Sequence, residues 1–276
     1  MISCKQPLLS LLAAGLALAV PGAAFAQGDL LVAPTRVVLN GGGGSEVILS
    51  NIGAQAATYR ISLELKRMSA DGNIVDVAEA DATPAEQAAL AMVRYAPRRI
   101  TLEPNQPQSV RLSARPAPEL PDGEYRVHLA FRAVPDAADA AKAIEQADAS
   151  GLTIRLTPIY GITIPLIVRK GQLDASVTIA NPQVSRQAAA TLFKLDLQRG
   201  GSRSVYGDVV IQPRGGGKPL FEARGLAVYP ELAQRNLALQ VSAEQAARLR
   251  GPVRIEYREP AEAGGKLIAS LDSTLP

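Results

Sequence analysis

Residues Thr58 to Met68, TYRISLELKRM, alternate between apolar and polar side chains as far as Lys66. The apolar set with one parity is Tyr59, Ile61, Leu63 and Leu65, and the polar set with the other is Arg60, Ser62, Glu64 and Lys66. A period of two is typical of a β-strand with one buried face. The sequence Asp71-Gly72-Asn73 then supplies a turn. The stretch therefore predicts an antiparallel strand that lies against a core.

Similar short segments continue on both sides of this strand. Before it, SEVILSN (45–51) alternates in the same way, and after it come PRRITLEP (97–104), QSVRLSARP (108–116) and EYRVHLAFRAVP (124–135). Beyond Leu173 the chain offers six or seven more strand patterns over about 105 residues. Regular short strands with few helices indicate β-sandwiches. We therefore predict an all-β protein with two β-sandwich domains, residues 27–170 and 171–276.

Two short helices interrupt the strands. Thr83 can cap a helix that has Pro84 at its first position and Glu86 completing a capping box. Ser242 can cap a second short helix in VSAEQAARL. The acidic, alanine-rich stretch from Asp136 to Ser150 lacks an apolar face and is predicted to be a mobile or partly helical loop.

Residues 1–26 have the pattern of a cleavable secretory signal. They carry a single charge at Lys5, an apolar run from Leu8 to Val20 and the ending Ala24-Phe25-Ala26. The run is short for a bilayer span, so we expect an exported protein rather than a membrane-embedded one. The mature chain would then lose Cys4, the one cysteine, which excludes disulfides and cysteine chemistry.

Composition also argues against several other functions. The mature chain would hold 28 Lys and Arg against 26 Asp and Glu, without a basic cluster of the kind that nucleic acid requires. With a single histidine, His128, common metal sites and a Ser-His-Asp triad are not expected. The alternation of EYRVHLAF predicts that His128 is a surface or boundary residue. We expect no catalytic residue, no metal and no cofactor.

The segment LTIRLTPIYGITIPLIVRKG, from Leu152 to Gly171, is unusual in length. Its apolar side chains share one parity, and Pro158 interrupts that face. Because proline removes a ladder donor, such a strand must lie at an edge or be broken there. An apolar edge normally invites aggregation, but it suits a protein that binds by edge pairing. Two consecutive core strands with a kink at Pro158 remain an alternative.

Residues 30–171 resemble the first domain of PapD-like periplasmic chaperones of pilus and fimbrial assembly. The resemblance lies in APTRVVLNG, VILSN, PRRITLEPNQPQSVRLSARP, LPDGEYRVHLAFRAVP and IPLIVRKG, which occur in the family's order. It implies two immunoglobulin-like domains set at an angle around a cleft, in a protein located in the periplasm. It also implies pilin-like subunits as clients, an outer-membrane usher as a further partner, and donor-strand complementation as the mechanism.

The resemblance assigns roles to individual residues. Arg36 would hold the carboxylate at the client's C-terminus, since a guanidinium can grip a carboxylate through two hydrogen bonds. Pro165 stands where the family's second cleft cation, a lysine, belongs, so the two-cation anchor is incomplete. Glu124 and Arg169 would form a structural ion pair at the domain junction. The donor-strand side chains would be Leu152, Ile154, Leu156, Tyr160 and Ile162.

A second class of function remains open. Two immunoglobulin-like domains also occur in structural or adhesive surface proteins, and a fold does not decide function. An assembled subunit would carry its own donor segment at the mature N-terminus, and residues 27–32 are short for that. The long apolar segment favours the chaperone.

Overall fold

A computed structural model describes residues 30–135, 159–187 and 190–276. The elements in the first part of the chain are β1 (Leu30–Ala33), β2 (Val37–Asn40), β3 (Gly43–Asn51), β4 (Ala57–Glu64), β5 (Lys66–Met68), β6 (Ile74–Asp76), α1 (Pro84–Met92), β7 (Val93–Ala96), β8 (Arg99–Leu102), β9 (Pro107–Ala114), β10 (Gly123–Val134) and β11 (Gly161–Lys170). Those in the second part are β12 (Ala175–Arg186), β13 (Thr191–Gly201), β14 (Val205–Pro213), β15 (Phe221–Val228), β16 (Gln234–Val241), α2 (Ala243–Arg248), β17 (Gly251–Arg258) and β18 (Leu267–Leu275).

The first domain is a β-sandwich. One sheet has the order β1-β3-β9-β7 and the other has the order β2-β11-β10-β4-β8. Among the described strands of this domain, β2 and β11 pair in parallel and the other strand neighbours pair antiparallel. The alternating side chains behave as predicted: Tyr59 and Ile61 of β4 are buried, and they pack with Val47 and Leu49 of β3 in one core.

The second domain is another sandwich with its own core. Its sheets have the orders β12-β13-β16 and β15-β14-β17-β18, all antiparallel. Phe193, Ile211 and Tyr257 lie at its centre with no exposed surface. The all-β, two-sandwich prediction is confirmed.

Both predicted short helices are present. Thr83 caps α1, its side chain accepts a hydrogen bond from the Glu86 amide, and the Glu86 carboxylate accepts one from the Thr83 amide. Ser242 and Gln245 form the same reciprocal pair at the start of α2. The stretch 136–150 lies outside the described residues. Within the described part of the chain, no helix is long and apolar enough to cross a membrane.

The hairpin of β5 and β6 connects the two sandwiches. Its turn contains Gly72 with φ of +89°, and a Cβ at this position would overlap the guanidinium of Arg235 in the second domain. The backbone amide of Asn236 donates to the carbonyl of Ala70 at 2.7 Å. Met68 packs against Ile167, Ala227 and Tyr229 in a small buried cluster between the domains. The hairpin therefore forms one wall of the space between the sandwiches.

Candidate functional site

The strand β11 is partly an edge of its sheet. On one side, β10 pairs with it along its whole length, from Gly161 to Lys170. On the other side, β2 pairs only with residues Leu166 to Arg169. Among the described residues, the outer side of Gly161 to Pro165 thus has no neighbouring strand.

The hydrogen-bonding direction along β11 follows from two contacts. The Tyr160 carbonyl accepts from the amide of Ala133 in β10, and the Arg169 carbonyl accepts from the amide of Gly41 on the opposite side. Bonding groups alternate along a strand, so odd-numbered residues of β11 direct theirs away from β10. The nitrogen of Pro165 therefore points to the outer edge, which is where a sheet tolerates proline.

Pro165 also accounts for the position of Arg36. The register pairs Val37 with Leu166, which places Arg36 beside Pro165. Because Pro165 has no N–H to donate to the chain before β2, the pairing begins at Val37. Arg36 consequently lies outside the sheet ladder, at the edge that faces the second domain.

The guanidinium of Arg36 contacts three residues of the second domain. Nη1 donates to the Tyr229 hydroxyl at 3.2 Å, and Nη2 donates to the Ser204 hydroxyl at 3.1 Å. Its central carbon lies 4.7 Å from the ring centroid of Tyr206. All these partners are neutral, and no carboxylate within the described ranges forms a salt bridge with Arg36. Arg36 is thus a half-buried cation whose charge is left uncompensated by this part of the chain.

The Arg36 side chain lines a cleft of about 510 Å³ between the domains. The first domain lines the cleft with cationic side chains and with residues of the β11 edge. Its lining residues are Thr35, Arg36, Lys66, Met68, Gly72, Ile74, His128, Thr163 and Pro165. The second domain contributes Tyr206, Gly225, Ala227, Tyr229 and Arg235. The free edge of β11 and the Arg36 guanidinium therefore meet in one cleft.

His128 is buried, and the prediction of a surface or boundary position is wrong. Its side chain lies in the cleft floor between Pro165 and Glu64 on the neighbouring strands, and the residue is 4% exposed. The alternation of β10 correctly puts His128 on the face opposite the first core. That face is covered because the second domain and the β5–β6 hairpin lie over it, as the buried cluster around Ile167 shows.

Lys66, which lines the cleft, and Arg126, which lies beside it, are already paired with carboxylates. Lys66 contacts Asp76 and lies 3.2 Å from Glu64 Oε2. Burial opposes the charge on Lys66, but hydrogen bonds to Asp76 and Glu64 outweigh it and raise the lysine pKa. Arg126 donates to both oxygens of Glu231 in the second domain. Its guanidinium carbon also lies 3.6 Å from the ring centroid of Tyr229.

Glu124 and Arg169 lie opposite each other on β10 and β11. Arg169 Nε donates to Glu124 Oε2 at 3.0 Å, and the Glu124 side chain has no exposed surface. The same oxygen accepts from the amide and the hydroxyl of Ser204 in the second domain, at 3.1 and 2.9 Å. The structure thus brings this pair together at the domain junction, with Ser204 linking it to Arg36.

The predicted donor side chains are described only in part. Leu152, Ile154 and Leu156 lie outside the described residues. Tyr160 is 46% exposed just before β11, while Ile162 is half-buried against the first core. Within the described part of the chain, no group of three or more His, Cys, Asp or Glu residues lies close enough together to hold a metal ion.

Sequence reasoning did not identify the second domain's part in the cleft. Ser204, Tyr206 and Tyr229 surround Arg36, and Glu231 holds Arg126. These residues lie in ordinary strand and turn patterns, and no local signal marks them. They meet only because the two sandwiches pack against each other.

Comparisons with known proteins give structural likenesses only. No family model and no curated protein matches the chain. A solved structure of the YadV chaperone aligns with 14% identity and a TM-score of 0.48, covering 90% of this chain and 100% of that one. A chain from the Salmonella enterica SafA pilin in complex with the SafB chaperone aligns with 18% identity and a TM-score of 0.44, covering 89% and 96%.

A further similar chain comes from the CsuC–CsuE chaperone–tip adhesion subunit complex of Acinetobacter baumannii. It aligns with 14% identity and a TM-score of 0.45, covering 90% of this chain and 100% of the other. The similar structures are thus of the kind that the sequence resembles. Identities and TM-scores this low do not establish a function, which has to be argued from the cleft itself.

Proposed function

We propose that the protein is a periplasmic chaperone that binds pilin-like subunits by donating the edge of β11 and delivers them to an outer-membrane usher. The main observation that supports this proposal is that the free edge of β11 ends beside Arg36 in the interdomain cleft. Main-chain groups on such an edge can pair with a client strand whatever its sequence.

The donor face would continue upstream of β11. Ile162 is half-buried and Tyr160 is exposed, so the apolar row leaves the protein's own core toward the start of the strand. Leu152, Ile154 and Leu156 extend the same parity. Each side chain that a client buries fully would contribute about 1.5–3 kcal/mol.

Arg36 would anchor the client at the inner end of the edge. A guanidinium has five N–H donors, and the described contacts with Tyr229 and Ser204 use two of them. The remaining donors suit a terminal carboxylate, which is a charged acceptor with two oxygens. No nucleotide, metal or covalent step is part of this mechanism.

Co-expression with a pilin-like subunit encoded beside the protein tests the proposal. We expect a soluble one-to-one complex from the periplasmic fraction. Changing Leu152, Ile154 and Leu156 together to serine should abolish recovery of the soluble subunit. The matched control changes three exposed apolar residues on other surfaces, Leu31, Ile52 and Leu267, to serine and should leave recovery intact.

Undiminished recovery with the first triple variant would exclude strand donation from this segment. Failure of the unaltered protein to solubilise any neighbouring subunit would favour the other candidate, a two-domain structural or adhesive surface protein.

A further inference from the structure

The floor of the cleft contains a row of four side chains on adjacent strands. The register aligns Pro165 with His128, and His128 with Glu64, while Arg36 lies beside Pro165 at the other end. Residues opposite each other on neighbouring strands share one face of a sheet. Arg36 and His128 therefore face the same cleft, with Pro165 between them.

A second row of side chains, formed by Arg126 and Lys66, runs beside the first on the same face of the sheet. Arg126, two residues before His128, donates through Nη2 to the main-chain carbonyl of Lys66 at 3.0 Å. Lys66 follows Glu64 by two residues and also lines the cleft. His128 is thus surrounded by three cations, Arg36, Arg126 and Lys66, from three segments of the first domain.

His128 has no evident structural role in this position. It is 96% buried, and no group in the described residues forms a hydrogen bond with its Nδ1 atom. Leaving a buried polar atom unpaired is unfavourable, because the atom loses its hydrogen bonds to water without replacing them. A ligand that reached this atom would remove the cost, so the unpaired nitrogen marks the cleft floor as a binding site.

The charges near His128 favour an anion as that ligand. Burial lowers its pKa to about 3, and the charges of Arg126, Lys66 and Arg36 act in the same direction, whereas Asp76 opposes them. The imidazole is therefore neutral at neutral pH. Of the other groups facing it, Glu64 is held by Lys66 and by Arg132, and Tyr206, Tyr229 and Arg235 form the second domain's wall.

We propose that Arg36, His128 and Lys66 together form the carboxylate site of the cleft, and that a bound carboxylate brings a proton onto His128. This inference rests on the proposed function, in which the carboxylate belongs to the client's C-terminus. Lys66 of the β5–β6 hairpin then supplies the second cation that Pro165 cannot supply. Arg126 is excluded from this role because it does not line the cleft and Glu231 accepts from both of its terminal nitrogens. Lys66 does line the cleft, and a bound carboxylate would take the place of Asp76, whose side chain is 79% exposed beside it.

Proton uptake gives the site a defined pH dependence. An anion close to an imidazole stabilises its charged form and raises its pKa. His128 is neutral in the free cleft and protonated in the occupied cleft at any pH between the two pKa values. Since binding then takes up a proton, affinity for the carboxylate rises as pH falls through that window. Above the pKa of the occupied state, this contribution vanishes.

The single histidine makes the proposal directly measurable. Protein without a histidine tag, labelled with ¹⁵N-histidine, gives ring signals from His128 alone. We expect sodium acetate to shift these signals toward the imidazolium form as pH is lowered from about 6.5 to about 4.5, toward the pKa of about 3 in the free cleft. Sodium chloride at equal ionic strength and the neutral analogue acetamide should not. A ring that responds identically to all three solutes would overturn the proposal.

Variants test the contribution of each cation. Arg36→Gln and Lys66→Met should each reduce the acetate response of His128 severalfold, and Lys66→Arg should restore part of it. Matched controls are Arg224→Gln and Lys218→Met, since both residues are exposed in the second domain. If circular dichroism shows that the Lys66→Met protein is unfolded, the Lys66→Arg and Arg36→Gln variants provide the test instead. An unchanged response in folded Lys66→Met protein would exclude Lys66 from the site.

A measurement of client binding distinguishes a failure of this inference from a failure of the proposed function. A protein that forms the client complex normally but whose His128 ring ignores acetate is a chaperone without this carboxylate site, which refutes only the inference. His128→Gln protein should still bind the client while losing the increase in affinity at lower pH. If the increase persists in that variant, His128 is not its source.

Discussion

Arg36 and Tyr229 are 193 residues apart in the chain, yet Arg36 Nη1 donates to the Tyr229 hydroxyl at 3.2 Å. The bond joins the start of β2 in the first sandwich to the turn after β15 in the second. It holds the Arg36 guanidinium near the rings of Tyr206 and Tyr229, at 4.7 and 5.6 Å from their centroids. Neutral partners of this kind orient the cation without neutralising it. The second domain therefore fixes the position of Arg36 and leaves its charge without a carboxylate partner among the described residues.

Replacing Arg36 with alanine should weaken client capture without unfolding the protein. Hydrogen bonds to charged groups contribute about 1.5–3 kcal/mol, so we expect roughly a tenfold to hundredfold rise in Kd for the client. Titration calorimetry with a purified subunit measures this. Arg224→Ala is the control, because its side chain is 76% exposed in the second domain. Equal affinity of both variants would place the anchor elsewhere.

The ion pair of Glu124 and Arg169 should make a large contribution to the stability of the domain junction. Arg169→Met leaves a fully buried carboxylate with only Ser204 as partner, and losing one member of a buried pair costs about 3–5 kcal/mol. The 20% exposure of Arg169 favours the lower end of this range. A double-mutant cycle with Glu124→Gln, read from urea unfolding, isolates the interaction. Additive effects of the two substitutions would contradict a direct coupling.

Glu231 should control whether the two sandwiches unfold together. Its carboxylate accepts from Arg126 of the first domain and from the Met68 amide at 3.0 Å. Glu231→Ala removes both interactions and leaves Arg126 buried without its counter-charge. We expect unfolding followed by tyrosine fluorescence to change from one transition toward two. Glu244→Ala, in the exposed first turn of α2, should keep the behaviour of the parent protein.

The capping box of α1 should make part of the stability acid-sensitive. Hydrogen bonds from Arg67 lower the pKa of Glu86 to about 2, and further bonds from Thr83 assist. A carboxylate with a lowered pKa in the folded state stabilises fully above its unfolded value. Its contribution is lost as pH falls from about 4.5 to about 2. The stability difference between the parent protein and Glu86→Gln should shrink across that window, whereas Glu244→Gln should differ little from the parent throughout.

Local patterns in the sequence predicted most of the fold. Alternation placed Tyr59, Ile61, Val47 and Leu49 in the core, and the capping signals located both helices. These features depend on neighbours within a few residues, so a sequence reveals them. The facing of Glu124 and Arg169 was expected from a resemblance rather than from a pattern.

The cleft could be predicted only in part because it depends on contacts between domains. Alternation assigns His128 to the face opposite the first core, but it does not reveal that a second sandwich covers this face. For the same reason, the partners of Arg36, namely Ser204, Tyr206 and Tyr229, carry no recognisable signal.

Pro165 has a consequence for the length of any strand that pairs with the edge of β11. A guest chain running along this edge finds bonding groups at Gly161 and Thr163, and then a proline nitrogen that has no hydrogen to offer. Pairing has to end at that point, so the end of the guest chain must turn out of the plane of the sheet at Pro165. Subunits of different sequence would therefore all stop at the same place along the strand, directly beside Arg36.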